Sequence, residues 1–106
     1  MDINQLVELI ATTWKCDSSR YPELAGMNAS ERKNFVIKHS VLHITKTNGK
    51  IAAVCEDFDH NRVLSADAEK ELEALAVKMF INALKLAEEA GVTFETLVQK
   101  APEYIK

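Results

Sequence analysis

The sequence predicts an all-α fold, a four-helix bundle-like domain with a long central antiparallel helical hairpin. Three observations predict it. Between Ala29 and Phe58, the residues Ile37, Val41, Ile44, Asn48, Ile51, Cys55 and Phe58 follow one another at alternating steps of four and three, the beat of one helix face. A second long segment, Ala66 to Ala90, is apolar around most of its circumference through Leu72, Leu75, Val77, Met79, Phe80, Ile81, Leu84 and Leu86. No stretch alternates apolar and polar residues as a half-buried strand would.

The first helix follows from Asp2, an N-cap with Gln5 placed three residues on to reach back, and from the stripe Ile3, Val7, Ile10 and Trp14. From Asp17 to Asn28 no apolar period survives, so this stretch reads as a connection that Tyr21, Leu24 and Met27 tuck down. Asn28 or Ser30 starts the long helix, whose one weak point is Asn48-Gly49, where glycine costs about 1 kcal/mol relative to alanine. Asp57 to Arg62 is expected to form the turn, Ser65 to cap the third helix and Gly91 to stop it. Thr93 caps a last helix with Phe94, Leu97, Val98 and Ala101 inward, and Pro102 marks its end.

With 106 residues, 47% of them hydrophobic, the chain can build one core, and a single domain over residues 1-106 is expected. A formal net charge of −3 supplies no overall basic field for phosphates, which disfavours general nucleic-acid binding. Charges interrupt every apolar run well short of a membrane span. Cys16 and Cys55 lie far from any CxxC spacing and no charged, apolar leader opens the chain, so a cytoplasmic protein with reduced thiols is expected. The third helix has more apolar surface than one hairpin and two short helices can cover, which predicts a homodimer or higher homo-oligomer.

Among polar arrangements, His39 and His43 form an i,i+4 pair able to chelate one metal ion from a single helix face. They are weak metal candidates: two ligands are not a site, and Lys46 and Lys50 follow at similar spacing. His60, with Asp57 and Asp59, has the spacing of a solvated turn, and Cys55, on the apolar stripe, reads as a small core residue. Asn48 sits on the same stripe, where a polar residue either sets the register of a partner helix or meets a ligand. Trp14, Phe35 and Phe80 are expected in the core.

The segments Ile44 to Val54 (ITKTNGKIAAV) and LKLAEEAGVTFETLVQK, ending at Lys100, resemble the second helix and the third-helix, glycine-stop and fourth-helix region of the MazG-like all-α nucleotide pyrophosphohydrolase family. The resemblance covers most of the chain and implies the same fold. In that family the second helix carries E-E-x-x-E and the third E-x-x-D, acids that hold Mg²⁺ for cleavage of a nucleoside triphosphate between its α and β phosphates. Here the matching positions read Lys46, Thr47 and Lys50, then Leu75 and Lys78. The resemblance thus implies a degenerate member lacking the metal-binding acids, with Lys46, Thr47, Asn48, Lys50 and Lys78 as ligand-binding candidates and no catalytic residue.

Two readings of the lysines stay open. Lys78 shares a polar stripe with Glu71, Asn82, Lys85 and Glu89, as a solvated face would; alternatively, Lys46, Lys50 and Lys78 make a pocket for an anion. The leading function is a non-catalytic helical protein that binds a partner protein or a small anionic, nucleotide-like ligand and needs no cofactor. The alternative is an active, Mg²⁺-dependent nucleoside triphosphate pyrophosphohydrolase using unaligned acids such as Glu56, Asp57, Glu69, Glu71 and Glu73. A metal-dependent hydrolase built on His39 and His43 is a third reading.

Overall fold

Asp2 begins the first helix, α1 (Ile3–Thr13), with a complete capping box: the Gln5 amide donates to Asp2 Oδ1 at 2.9 Å while the Asp2 amide donates to Gln5 Oε1 at 2.8 Å. The computed structural model describes residues 1–105. Ile10 is the residue that α1 buries. The connection that follows is more ordered than its composition suggests, because Pro22–Gly26 wind into a 3-10 turn whose Leu24 is only 1% exposed. Proline at the first turn needs no amide partner, and the turn drives one leucine into the core.

The long helix, α2 (Ala29–Asn61), opens on a second capping box between Asn28 and Glu31. Its 33 residues span about 50 Å at 1.5 Å each, which sets the longest dimension of the molecule, 51 Å. The helix passes through Asn48-Gly49 without a break and ends later than the sequence suggests. Asp57 to Asn61, expected as the turn, are its last helical residues, and Asn61 Nδ2 donates back to the Asp57 carbonyl at 2.9 Å. Arg62 then stops it in the left-handed conformation, with φ 56°.

Ser65 caps the next helix, α3 (Ala66–Glu89), its hydroxyl oxygen accepting from the Ala68 amide at 3.1 Å. At the far end Gly91, with φ 77°, lets its own amide reach the Glu88 carbonyl at 3.0 Å and the Val92 amide reach that of Ala87 at 2.8 Å, a Schellman stop. Thr93 caps α4 (Phe94–Lys100), and a 3-10 turn over Ala101–Tyr104 follows. Among the described residues there are four α-helices and no strand. The fold is all-α; α2 and α3 make the dominant interface as a helical hairpin, and α1 packs on α3.

The face that α2 buries shares only half of its hydrophobic beat: Ile37, Ile44, Ile51 and Phe58 are half-buried, but the other half of the beat faces out. Ser40, Thr47 and Val54 are buried at intervals of seven, whereas Val41, Asn48 and Cys55, each one residue later and so rotated by about 100°, are exposed. Cys55 is therefore not a core residue. Trp14 and Phe80, expected in the core, are also exposed, while Phe35 is half-buried. On α3, Leu75, Asn82 and Leu84 go inward and Val77 and Phe80 remain 52% and 47% exposed.

The solvent-accessible surface is 7877 Å², against about 6,000 Å² for a compact monomer of this length. The radius of gyration, 16.7 Å, likewise exceeds the about 13 Å of a compact chain of this size. Among the described residues, no helix is long and apolar enough to cross a membrane.

Candidate functional site

The N-terminal half of α2, the C-terminal half of α3 and the α1–α2 connection enclose a hollow of about 220 Å³. Its outer wall is held by Asp17, whose carboxylate accepts from Ser19 Oγ at 2.6 Å and from the Ser19 and Arg20 amides at 3.1 and 3.3 Å. These bonds keep the Asp17 carboxyl below its ordinary range. They also fix the loop that brings Lys15, Cys16, Arg20 and Tyr21 to the hollow. Burial, and behind it the charge of Glu89, push the Cys16 thiol above its ordinary range, so it stays a protonated thiol.

From α2 come Val36, His39, Ser40 and His43. Tyr21 Oη lies 2.8 Å from His39 Nε2, and the same nitrogen lies 3.1 Å from His43 Nε2. The Tyr21 ring stands edge-on to both Phe35 and His39, which holds the cluster against α2. His39 Nε2 offers either one hydrogen or one lone pair to these two neighbours, so the imidazole tautomers set which group donates in each contact. Burial, and then the neighbouring His43 charge, lower the His39 pKa from its ordinary range, with Lys85 adding to the effect and Glu89 opposing it.

From α3 come Asn82, Lys85 and Glu89, spaced so that all three share one face. The stripe is solvated at Glu71 and Lys78, as the sequence suggests, but not beyond them: Asn82 is buried, and Lys85 and Glu89 leave only 12% and 17% of their side chains exposed. Asn82 Nδ2 donates to Thr47 Oγ1 at 2.9 Å and lies 3.5 Å from the His43 carbonyl. Lys85 Nζ is 2.6 Å from Glu89 Oε1 and 3.6 Å from Glu88 Oε2, an oxygen that is buried with no hydrogen bond of its own. Lys85 is thus what makes two tightly placed carboxylates tolerable.

The residues singled out by the family resemblance lie elsewhere. Lys46, Asn48, Lys50 and Lys78 are exposed, and only Thr47 of that set is buried, bonded to Asn82. The polar residue that sets register on the inward stripe is therefore Thr47 and not Asn48. Leu75 at the other family position is a core residue, 4% exposed. The set contains no carboxylate and three ammonium groups, so these side chains do not fit Mg²⁺.

Of the alternative acids, Asp57 and Glu71 line, with Asp67, a second, wider hollow at the α2–α3 reversal. Among the described residues no three His, Cys, Asp or Glu side chains stand close enough to hold one metal ion, either there or around His39 and His43. Sequence reasoning missed Tyr21, Asn82, Lys85 and Glu89 as one site. The available signal was that Ser40, His43 and Thr47 on α2 and Asn82, Lys85 and Glu89 on α3 both keep helical spacing, as two polar half-stripes meeting across a hairpin would.

Comparison of the chain with protein-family models, with curated proteins and with solved structures gives no match.

Proposed function

We propose that this chain is a MazG-like helical protein that has lost the family's metal-binding acids and works by binding a small anionic ligand or a partner protein. One observation carries the reading. Thr47, at the centre of the segment that resembles the family's second helix, is buried with its hydroxyl accepting from Asn82, so a neutral hydrogen bond stands where a metal-binding acid would face α3. Lys46, Lys50 and Lys78 around it face solvent and would repel a divalent cation.

The working form is a homo-oligomer, a dimer at least. Its support is the surface excess of roughly 1,900 Å² over a compact monomer, together with exposed Val77 and Phe80 on α3 and Val41 and Leu42 on α2. Counted on two copies, an excess of that size is about 3,800 Å², within the range that obligate homodimers bury. Two free cysteines, Cys16 and Cys55, accord with a reducing, cytoplasmic setting.

The deciding experiment incubates the purified protein with a panel of nucleoside triphosphates and Mg²⁺ or Mn²⁺ and measures pyrophosphate. No release above background is expected. Release that a chelator abolishes would overturn the reading in favour of a pyrophosphohydrolase using acids such as Asp57 and Glu71.

A further inference from the structure

We infer that the hollow between the α1–α2 connection, α2 and α3 is a binding site for a small organic acid, one anionic group on a body about the size of a single ring. The inference rests on the reading of the chain as a binding protein and deepens it by moving the site away from Lys46, Lys50 and Lys78.

Charge is the first argument. Lys15, Arg20 and Lys85 line the hollow against a single carboxylate, Glu89, and Glu89 is already engaged by Lys85 at 2.6 Å. With Lys85 and Glu89 cancelling, the excess is the two charges of Lys15 and Arg20 at the exposed edge of the hollow, opposed from outside its lining by Asp17. A metal cation is disfavoured there for the same reason, although two imidazole nitrogens converge. Glu88 lies behind Lys85 at 3.6 Å and does not line the hollow, so it weakens Lys85 but leaves Lys15 and Arg20 free to attract an anion.

Hydrogen-bonding capacity is the second argument. The Tyr21 hydroxyl and the His39 and His43 imidazoles are engaged with one another and the Asn82 amide with Thr47, so the lining donors without a side-chain partner among the described residues are the Lys15 ammonium and the Arg20 guanidinium, while the lining carboxylate, Glu89, is committed to Lys85. Two cationic donors without an uncommitted carboxylate beside them in the lining are complementary to a carboxylate or phosphate oxygen set. Size and the remaining walls set the rest of the ligand. The volume, about 220 Å³, is below that of drug-sized sites, and Trp14 and Val36 supply an apolar rim and side. Trp14 is 41% exposed, available to cover a flat apolar body whose acid group points inward.

The test is an amide NMR titration of the full chain with benzoate and phenylphosphonate, with benzyl alcohol as the neutral control and inorganic phosphate as the acid group alone. Saturable shifts are expected for at least one of the two acids at Cys16, Arg20, Tyr21 and His43, with benzyl alcohol and inorganic phosphate binding more weakly. Arg20 is exposed, so Arg20→Gln leaves the fold intact and should weaken the acid about tenfold, the loss of one charge-assisted contact. Trp14→Ala should weaken benzoate or phenylphosphonate and leave inorganic phosphate unchanged. The inference is overturned if neither acid gives saturable shifts, if benzyl alcohol binds as well as the acids, or if the shifts cluster at Lys46, Lys50 and Lys78. Any of these results, together with an absence of pyrophosphate release, would leave the non-catalytic reading standing while removing this site from it.

Discussion

Asn82 donates its side-chain amide to the hydroxyl of Thr47 at 2.9 Å, tying the middle of α3 to the middle of α2 in a region where both residues are buried. Neither group has water to fall back on, so each makes the burial of the other affordable. Thr47→Val should strand the amide and lower stability by about 1–3 kcal/mol. The double variant Thr47→Val with Asn82→Leu should lose less than the two single changes added together. Chemical denaturation of all four proteins measures this coupling, and strict additivity would mean that the bond carries no mutual stabilisation.

The Tyr21–His39–His43 cluster makes stability depend on pH with a definite sign. Its folded His39 pKa is lowered, chiefly by burial, below the about 6.5 of an unfolded histidine. Between those two values the unfolded chain takes up a proton that the native one refuses, so stability falls as pH drops through that window and does not change above it on account of this group. His39→Gln should remove that slope. Denaturation midpoints that fall in parallel for both proteins as pH drops from about 7 to about 5 would assign the slope to other groups.

Val77 and Phe80 stand three residues apart on α3 with about half their surface exposed. In a dimer they are covered, and sedimentation at micromolar concentration should give at least twice the chain mass. Phe80→Glu combined with Val77→Glu should yield a monomer of unchanged helix content, because buried like charges on both partners repel. A wild-type monomer would show that the apolar faces stay open to solvent.

The family resemblance has its own chemical test. Replacing Lys46, Thr47, Lys50, Leu75 and Lys78 with Glu, Glu, Glu, Glu and Asp places carboxylates along α2 and α3, two of them at the buried positions 47 and 75. Without metal the variant should melt lower than the wild type, since those acids are desolvated and repel one another. Saturating Mg²⁺ or Mn²⁺ should restore about 2.7 kcal/mol at a hundredfold excess over Kd, while the wild type stays indifferent. A folded variant equally indifferent to metal would remove the main chemical support for the resemblance.

Much of the fold was legible because helix boundaries are local chemistry. Asp2 with Gln5, Ser65 and Thr93 cap where their side chains dictate, and Gly91 stops α3 where a positive φ is needed. The orientation of α2 was only half legible. Its hydrophobic beat marks Val41 and Cys55, but Ser40 and Thr47 turn inward, and Thr47 does so because Asn82 on another helix satisfies it. The polar stripe of α3 misled for the same reason. Asn82, Lys85 and Glu89 look solvated until Thr47, Glu88 and the histidine cluster are placed around them, and those partners lie on other helices or depend on how the helices are rotated. Periodicity identifies a helix; it does not identify pairs that cancel each other's cost of burial.

Leu24 pins the segment that continues from Tyr21, a residue of the hollow's wall. Loops that border ligand sites ordinarily open on their own, because few core contacts restrain them. Here the connecting segment between Tyr21 and Asn28 carries the most deeply buried leucine of the chain, and its 3-10 amides bond back to Tyr21 and Leu24. Swinging that segment aside would pull Leu24 out of the core, so it cannot serve as a gate without partial unfolding. The amides of the 3-10 turn should accordingly exchange with solvent hydrogen on the slow timescale of the hairpin itself.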